Sequence, residues 1–287
     1  MTARVPAGVP TEGPDRRGMS SFDDIYDRPD PRAYFTRLAP LEYRIPHHAQ
    51  PVFRAAVADL ARRRPGRPVT VVDLCCSYGI NAALLNHDVT LDELYDRYTG
   101  PATAGLSRAE LAASDREFYA SRRRPEAVPV VGVDVSARAV AYAVDAGLLD
   151  AGFAENLEAA PAGPALAAAL APADLVTVTG GLSYIGPRTF DAVVAPSGGR
   201  VRVVAFAVRP VDYRPVAEAL ARHGLVTTAS GRTYPQRRFT GPEERRVVLE
   251  RVRAAGLDPA GREAEGHYHA ALYVSRPSAE EAGEEGN

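Results

Sequence analysis

The most informative stretch of the sequence is Val69-Thr-Val-Val-Asp-Leu-Cys-Cys-Ser-Tyr-Gly79, which runs directly into Ile80-Asn-Ala-Ala-Leu-Leu85. Its first part is an apolar, β-branched run of the kind that forms a strand buried on both faces of a parallel sheet. The small residues that follow predict a tight turn, and the second run predicts an apolar helix. Strand, turn and helix in this order are typical of a nucleotide-binding βα unit.

The rest of the chain repeats this alternation of strands and helices. A second strand is predicted at residues 128 to 135, and Ser136 is placed to cap the helix that follows it. Later strands are predicted at residues 152–157, 173–179, 200–208 and 267–274, and residues 226–239 are compatible with a hairpin. The repeated pattern predicts an α/β fold, a doubly wound, mostly parallel sheet with helices on both faces.

The sequence divides into a core domain with several additions. Residues 66 to 277 form the predicted α/β domain, and residues 88 to 128 within it are predicted to be a helical insertion. Residues 21 to 65 are predicted to form a helical N-terminal cap that is broken at its prolines, Pro29, Pro31, Pro40, Pro46 and Pro51. Residues 1 to 20 are predicted to be a disordered leader, and the acidic residues 278 to 287 a disordered tail.

Composition places the chain among ordinary globular proteins. Of its 287 residues, 46% are hydrophobic and 24% charged, and no apolar run approaches the ~20 residues of a membrane span. In the absence of a secretory signal, we expect a cytoplasmic protein. The 34 basic residues are all arginine, but acidic residues balance them, so no nucleic-acid surface is expected. The two cysteines, Cys75 and Cys76, are adjacent, which excludes a cysteine metal cluster.

Polar and small residues stand at four predicted strand ends. A sheet of this kind binds its ligand outside the carboxyl ends of its strands, so these residues are candidates for a binding site. They are Asp73 to Gly79 after the first strand, Asp134 to Ser136 after the second, Ala154 to Leu157 after the third and Thr179 to Tyr184 after the fourth. The sequence therefore predicts one ligand site at this edge of the sheet.

The order and spacing of these motifs resemble those of class I S-adenosylmethionine-dependent methyltransferases over residues 66 to 210. The resemblance implies that S-adenosylmethionine is the cofactor and that its methionine part rests on Asp73 and the turn ending in Gly79. It also implies that Asp134 holds the ribose hydroxyls, since a carboxylate accepts two hydroxyl protons. The implied adenine contact is Glu155 or Asn156, and the rest of the implied cofactor set is Cys75, Ser77, Val135, Leu157 and Thr179.

The first turn departs from the glycine pattern of that family. Where Gly-x-Gly-x-Gly is usual, this chain has Cys75, Ser77 and Gly79, so only the third glycine is present. Tyr78 stands inside the turn, and we expect its ring or hydroxyl to face the ligand. A dinucleotide-binding domain is the close alternative, but its acidic residue follows the glycines by about 20 residues, whereas Asp134 lies behind a helical insertion.

The default hypothesis for the reaction is methyl transfer to a small molecule, such as one of secondary metabolism. Nothing in the chain resembles the Asn/Asp-Pro-Pro-Tyr/Phe signature of enzymes that methylate nucleic-acid amines. Aromatic faces help to hold a sulfonium cation, and the catalytic candidates are Tyr184, Tyr78 and Tyr26. Methyl transfer to a hydroxyl group also needs a general base. No histidine is assigned to this role. His267 and His269 are expected to share one face of the last strand, because alternate side chains of a strand point the same way.

A second hypothesis concerns another reaction class. Asp30-Pro-Arg-Ala-Tyr-Phe35, Cys75-Cys-Ser-Tyr-Gly79 and Gly266-His-Tyr-His-Ala270 look similar to segments of methyltransferase-like enzymes that cyclise S-adenosylmethionine, such as azetidine-2-carboxylate synthases. That resemblance implies attack by the cofactor's own amino group, or by its α-carbon to give aminocyclopropane carboxylate, with release of methylthioadenosine behind a closed lid. An inactive cofactor-binding regulator is a third alternative. The oligomeric state, a homodimer included, is left open.

Overall fold

The computed structural model describes Ser20 and residues 22 to 280. Apart from Ser20, the predicted leader lies outside the described residues, and so does the tail from residue 281 onward. Residues 278 to 280 of the predicted tail pack on the domain. The Ser278 amide donates to the Gly224 carbonyl at 2.9 Å, and Glu280 pairs with Arg202 at 2.7 Å. The ordered domain therefore extends beyond the predicted boundary at residue 277.

Three helices form the N-terminal cap: α1 (Asp23–Tyr26), α2 (Arg32–Leu38) and α3 (Ile45–Arg63). The prediction that every proline breaks this region is wrong at two positions. Pro46 lies in the first turn of α3, where its missing N–H would have no helical partner, and Pro51 lies inside the helix. α3 continues past Pro51 because its apolar face is buried in the core through Phe53, Val57 and Leu60.

Seven strands form one sheet: β1 (Val71–Leu74), β2 (Val130–Asp134), β3 (Ala151–Ala154), β4 (Leu175–Thr179), β5 (Arg202–Val208), β6 (Leu225–Arg238) and β7 (His267–Pro277). Their order across the sheet is β3-β2-β1-β4-β5-β7-β6. β1 to β5 run parallel, and β7 runs antiparallel between β5 and β6. This topology confirms the predicted α/β fold, a doubly wound, mostly parallel, Rossmann-like sheet.

Helices cover both faces of this sheet. They are α4 (Ile80–Asn86), α5 (Leu91–Thr99), α6 (Pro101–Ala104), α7 (Arg108–Ala120), α8 (Ala137–Asp145), α9 (Pro164–Leu170), α10 (Pro187–Val194), α11 (Arg214–Arg222) and α12 (Pro242–Ala254). Because successive side chains of a strand point to opposite faces, neighbouring residues enter different cores. Val71 belongs to the core that contains α3 and α4, whereas Val72 belongs to the core with α9, α10 and α11.

The helical insertion between α4 and β2 contains α5, α6 and α7. Its two longer helices each begin with a capping box, in which two side chains satisfy free amide groups of the first turn. Thr90 and Glu93 form the box of α5, and Ser107 and Glu110 form the box of α7.

The hairpin interpretation of residues 226 to 239 is wrong. β6 is one strand that pairs with β7 along its length, with register irregularities between Ala229 and Thr233 and between Pro235 and Arg237. The turn-like residues cause the first irregularity. Gly231 has a left-handed φ of 71°, so the chain bulges and then resumes its pairing.

The carboxyl ends of β1, β2, β4 and β5 lie at one edge of the sheet. β6 runs parallel to β5, so it also ends at this edge, whereas antiparallel β7 begins there. The cap lies across the same edge, where the Arg44 amide donates to the Gln236 carbonyl of β6 at 2.7 Å.

Candidate functional site

The turn after β1 has an unusual backbone. Cys75, Ser77 and Gly79 have φ values of 54°, 48° and 78°, all in the left-handed region. This conformation costs a residue with a side chain roughly 1–2 kcal/mol, which is why glycine normally occupies it. These are the three positions at which the resembled family carries glycine. The chain therefore keeps the backbone of the glycine turn even though two of its glycines are missing.

Two glycines after β4 allow close approach to this turn. A Cβ atom on Gly181 would lie 2.5 Å from Cys75 Sγ, and one on Gly180 would lie 2.3 Å from Tyr43 Oη. Neither position can hold a side chain unless its neighbour moves. The β1 turn, the β4 end and Tyr43 of the cap therefore meet at one place.

Asp73 lies beneath the β1 turn and is almost fully buried, at 1% exposure. Its Oδ1 accepts hydrogen bonds from Asn81 Nδ2 at 3.0 Å and Thr177 Oγ1 at 2.8 Å. Thr179, another predicted cofactor residue, joins the network by donating to Asn81 Oδ1. Burial raises the pKa of Asp73 to about 7, against the opposing effect of these hydrogen bonds.

The second oxygen of Asp73 is buried and has no hydrogen-bond partner within the described chain, and Ser77 Oγ is in the same situation. Buried polar atoms are nearly always satisfied, because leaving one unpaired costs about 1–3 kcal/mol. The unpaired oxygens of Asp73 in β1 and Ser77 in the turn that follows are therefore available to a ligand or water.

Asp134 joins the end of β2 to the β1 turn. Its Oδ2 accepts from the Ser77 amide and its Oδ1 from the Ser136 amide, each at 2.9 Å. Burial raises the pKa of this carboxyl group. Val135, which follows, is 67% exposed, the largest exposure among the large hydrophobic residues described. An apolar side chain open beside a carboxylate suits a ligand with a flat ring next to hydroxyl groups.

The structure separates the two candidates after β3. The Glu155 carboxylate accepts from the Gly163 amide at 2.8 Å and so holds the start of α9. Asn156 accepts only locally, from the Glu158 amide at 3.0 Å. Leu157 is buried in the core. Glu155 is therefore occupied by its hydrogen bond to the start of α9, whereas Asn156 makes only a local hydrogen bond and is the better candidate for a ligand contact.

Four tyrosines gather over the strand ends, and we call them the tyrosine cluster: Tyr26, Tyr34, Tyr43 and Tyr184. The Tyr26 ring lies 5.9 Å from that of Tyr34 and 6.5 Å from that of Tyr184, and Tyr34 lies 6.2 Å from Tyr43. Burial, with added effects from Tyr43, Tyr184 and Asp134, raises the pKa of Tyr26 well above its usual value. Two catalytic candidates, Tyr26 and Tyr184, are thus neighbours, and the phenol of Tyr26 stays neutral near Asp134.

The expectation that Tyr78 faces the ligand is wrong. Its hydroxyl accepts from the Arg28 amide at 3.0 Å and lies 3.0 Å from the carbonyls of Ile25 and Arg28, to which it donates. The side chain is 1% exposed. Its polar atom is occupied by backbone groups, so Tyr78 holds the cap and does not present a free phenol.

The sequence alone did not identify an ion pair at the end of β6. Arg237 donates to both oxygens of Glu244 at 2.8 and 2.9 Å, and both side chains are buried. The guanidinium carbon also lies 5.0 Å from the Phe22 ring and 4.4 Å from the Tyr268 ring. Burial alone would raise the pKa of Glu244, but Arg237 lowers it to about 2. The pair fixes Phe22 and the segment around it onto the sheet edge.

Four of the six histidines engage other groups. His267 lies 3.3 Å from Glu42, and His269 lies 3.4 Å from Thr233 Oγ1. Burial and nearby cationic groups lower the pKa of His269 to about 4. His87 contacts the Ala83 carbonyl, and His223 contacts Asp191. These contacts do not place any of the four as a base next to Asp134.

Two open surface grooves lie apart from these strand ends. One, of about 750 Å³, is lined by Asp88 and residues 121 to 126, where Arg124 pairs with Glu126 at 3.3 Å. The other, of about 600 Å³, lies on the outer side of α1 and α2. No helix among residues 22 to 280 is long and apolar enough to cross a bilayer, and the same residues contain no metal-binding group of three or more His, Cys, Asp or Glu.

The chain is similar in outline to several solved methyltransferase structures. That of magnesium protoporphyrin IX methyltransferase from Synechocystis PCC 6803 with bound SAM is 13% identical, with 91% of this chain and 94% of that chain covered and a TM-score of 0.39. Precorrin-6y C5,15-methyltransferase from Geobacter metallireducens GS-15 is 12% identical, with 93% and 96% covered and a TM-score of 0.37. A TehB-like SAM-dependent methyltransferase from Corynebacterium glutamicum is 12% identical, with 77% and 87% covered and a TM-score of 0.37.

Structural similarity with TM-scores below 0.4 carries no argument about the function of this chain. No protein-family model matches the chain, and no curated protein matches it in sequence.

Proposed function

We propose that this protein is an S-adenosylmethionine-dependent methyltransferase that acts on a small molecule. The observation that carries the proposal is the end of β1 and its turn, where three left-handed residues follow Asp73 and where two buried oxygens, Asp73 Oδ2 and Ser77 Oγ, have no partner in the described residues. A left-handed turn lets backbone N–H groups approach a ligand closely. The unpaired carboxylate oxygen suits a cationic group such as the ammonium of the methionine part.

The residues around the turn fit the rest of this cofactor. Asp134 is the carboxylate for the ribose hydroxyls, since each oxygen keeps a lone pair after accepting one amide proton. Val135 offers an exposed apolar surface for the adenine ring. Asn156 is our choice for the adenine edge, because Glu155 is committed to α9. Cys75, Gly79, Leu157 and Thr179 shape the pocket from behind.

When bound, S-adenosylmethionine supplies an electrophilic carbon on a sulfonium, open to in-line attack. We assign the tyrosine cluster to the surroundings of this sulfonium. Its rings offer negative faces to a cation, and their packing excludes water. Tyr26 is close enough to Asp134 to feel its charge, and Tyr184 stands in the loop that follows β4. We assign them to orienting the reacting groups, with Tyr26 acting as a neutral phenol because its pKa is raised.

Cyclisation of the cofactor is the second candidate, and one observation favours it. The cap already covers the sheet edge: Tyr43 reaches the β4 end at Gly180, and the backbone of Arg28 is held by Tyr78. An intramolecular reaction needs such closure and no room for an acceptor. Under either reaction, a cytoplasmic location remains a prediction from sequence, and the oligomeric state, a homodimer included, stays open.

One incubation distinguishes the two reactions. Purified protein is mixed with S-adenosylmethionine alone, and the products are separated by chromatography and mass spectrometry. Methyl transfer predicts S-adenosylhomocysteine only after a small-molecule acceptor is added. Methylthioadenosine formed without an acceptor, in amounts above a protein-free control, would instead establish cyclisation and reject methyl transfer as the main activity.

A further inference from the structure

The segment of residues 22 to 30, which we call the strap, crosses the sheet edge above β1 and β2. At one end, the Phe22 ring lies against Arg237 of β6. In the middle, Asp27 Oδ1 accepts from Ser136 Oγ at 3.1 Å, and the Asp27 carbonyl accepts from Arg138 at 3.3 Å. The strap is thus fastened two residues beyond Asp134, beside the proposed ribose site.

The strongest fastening comes from the β1 turn itself. The Tyr78 hydroxyl accepts from the Arg28 amide and lies at donating distance, 3.0 Å, from the carbonyls of Ile25 and Arg28. Tyr78 stands between two left-handed residues of the turn, Ser77 and Gly79. A change in the backbone of the turn therefore moves the phenol that holds the strap.

We infer that Tyr78 is a positioning residue that couples occupation of the β1 turn to closure of the strap. This inference rests on the proposed function, because it takes the ligand of the turn to be the methionine part of S-adenosylmethionine. A ligand that engages Ser77 fixes the turn, and the fixed turn holds the Tyr78 hydroxyl against the strap. Coupling is reciprocal, so a closed strap also retains the ligand.

The coupling implies an order of events. The strap lies beside Asp134 and is joined to Ser136, so it must open for the adenosyl group to enter or leave. Occupation of the turn then favours closure, which brings Tyr26 to its place beside Tyr184. The cofactor therefore completes the tyrosine cluster before the reaction begins.

The test compares Tyr78→Phe with a matched control, Tyr119→Phe. Both tyrosines are fully buried and both lose a hydroxyl hydrogen bond, but Tyr119 pairs with Tyr98 in the helical insertion, at 2.9 Å. The measurements are the dissociation rate of S-adenosylmethionine by stopped flow and hydrogen exchange of residues 22 to 30 with and without S-adenosylmethionine. Asp27→Ala, an exposed change that removes the side-chain contact with Ser136, serves as a second variant should Tyr78→Phe fail to fold.

We expect Tyr78→Phe to raise the dissociation rate about tenfold, as for the loss of one to two hydrogen bonds. It should also abolish the protection of the strap that S-adenosylmethionine induces in the wild type. Asp27→Ala should act in the same direction by about two- to threefold, and Tyr119→Phe should change neither quantity.

Wild-type dissociation and protection in both strap variants would overturn the coupling while leaving the proposed cofactor intact. A wild-type protein that binds no S-adenosylmethionine would instead overturn the proposed function, and the coupling with it.

Discussion

Asp73 and Asp115 are both buried carboxylates, at 1% and 0% exposure, yet their surroundings differ. Asp115 in the helical insertion accepts from Arg97 Nε at 2.7 Å and from the hydroxyls of Tyr98 and Tyr142 at 2.5 and 2.6 Å. Both of its oxygens are satisfied by the chain. Asp73 in β1 has one satisfied oxygen and one with no partner in the described residues. The saturated carboxylate of Asp115 serves the fold, whereas the free oxygen of Asp73 is available to a ligand.

The largest expected effect follows from removing the saturated carboxylate. Asp115→Ala leaves the Arg97 guanidinium without its partner and two buried hydroxyls without an acceptor. Breaking a buried pair in this way costs about 3–5 kcal/mol, so we expect the free energy of unfolding to fall by that amount in a urea titration. Cofactor affinity of the folded fraction should be unchanged. A loss of less than 1 kcal/mol would show that the saturated network does not serve the fold.

The converse change is Asp73→Asn, which keeps the size of the side chain and an oxygen to accept from Asn81 and Thr177. We expect the free energy of unfolding to change by less than about 1 kcal/mol. S-adenosylmethionine affinity should fall roughly 10- to 100-fold, because a hydrogen bond to a charged group contributes about 1.5–3 kcal/mol. Calorimetric titration measures the affinity. An unaffected affinity would place the methionine part elsewhere.

The raised pKa of Asp73 predicts that both stability and cofactor affinity depend on pH. In the free folded chain this carboxyl stays protonated up to about pH 7, whereas in the unfolded chain it ionises near pH 4. Raising the pH through this window therefore destabilises the free fold, since the unfolded chain releases its proton first. A bound cation needs the ionised form, so affinity should rise about tenfold from pH 6 to pH 8.

The control for this pH dependence is Asp73→Asn, whose affinity should be flat over the same range. At pH 7 the wild type should also release protons on binding, seen as a calorimetric heat that varies with the ionisation enthalpy of the buffer. Equal pH profiles for the wild type and the variant would remove Asp73 from contact with the cation.

The smallest effect concerns the backbone of the turn. Ser77→Gly removes a side chain from a left-handed position but adds the entropy cost of glycine, so we expect a net gain in stability of about 0.5–1 kcal/mol. The variant also loses the unpaired Oγ, and affinity should fall a few-fold. Differential scanning calorimetry would show the gain in stability, and a binding titration would show the loss of affinity. A loss of stability would contradict the view that the turn is strained.

The sheet and its ligand edge could be predicted from sequence, because alternating runs and strand-end residues are local signals. Asp73 and Asp134 are identifiable in the sequence because each stands at or next to the carboxyl end of an apolar strand. The left-handed backbone at Cys75 and Ser77 could not be derived from residue type, since side-chain-bearing residues rarely adopt it. Only the match to a glycine pattern pointed there.

The predictions for the hairpin and for Tyr78 are wrong because contacts between distant segments decide the structure there. Ser230-Gly231 has turn composition, but pairing with β7 on both sides converts the turn into a bulge. Tyr78 was placed toward the ligand because it lies in the turn, yet its direction depends on the strap, some 50 residues away in sequence. The roles of Tyr43 and Arg237 likewise arise from contacts between distant segments, for which the sequence offers no local pattern.

The most direct test of the proposed cofactor site is a calorimetric titration of the purified wild type and Asp134→Ala with S-adenosylmethionine, with circular dichroism to confirm that both are folded. We predict one site per chain in the wild type and an affinity at least tenfold lower in Asp134→Ala, from the loss of charged hydrogen bonds. Absence of binding heat in the wild type, or equal affinities in the two proteins, would contradict the site described at the ends of β1 and β2.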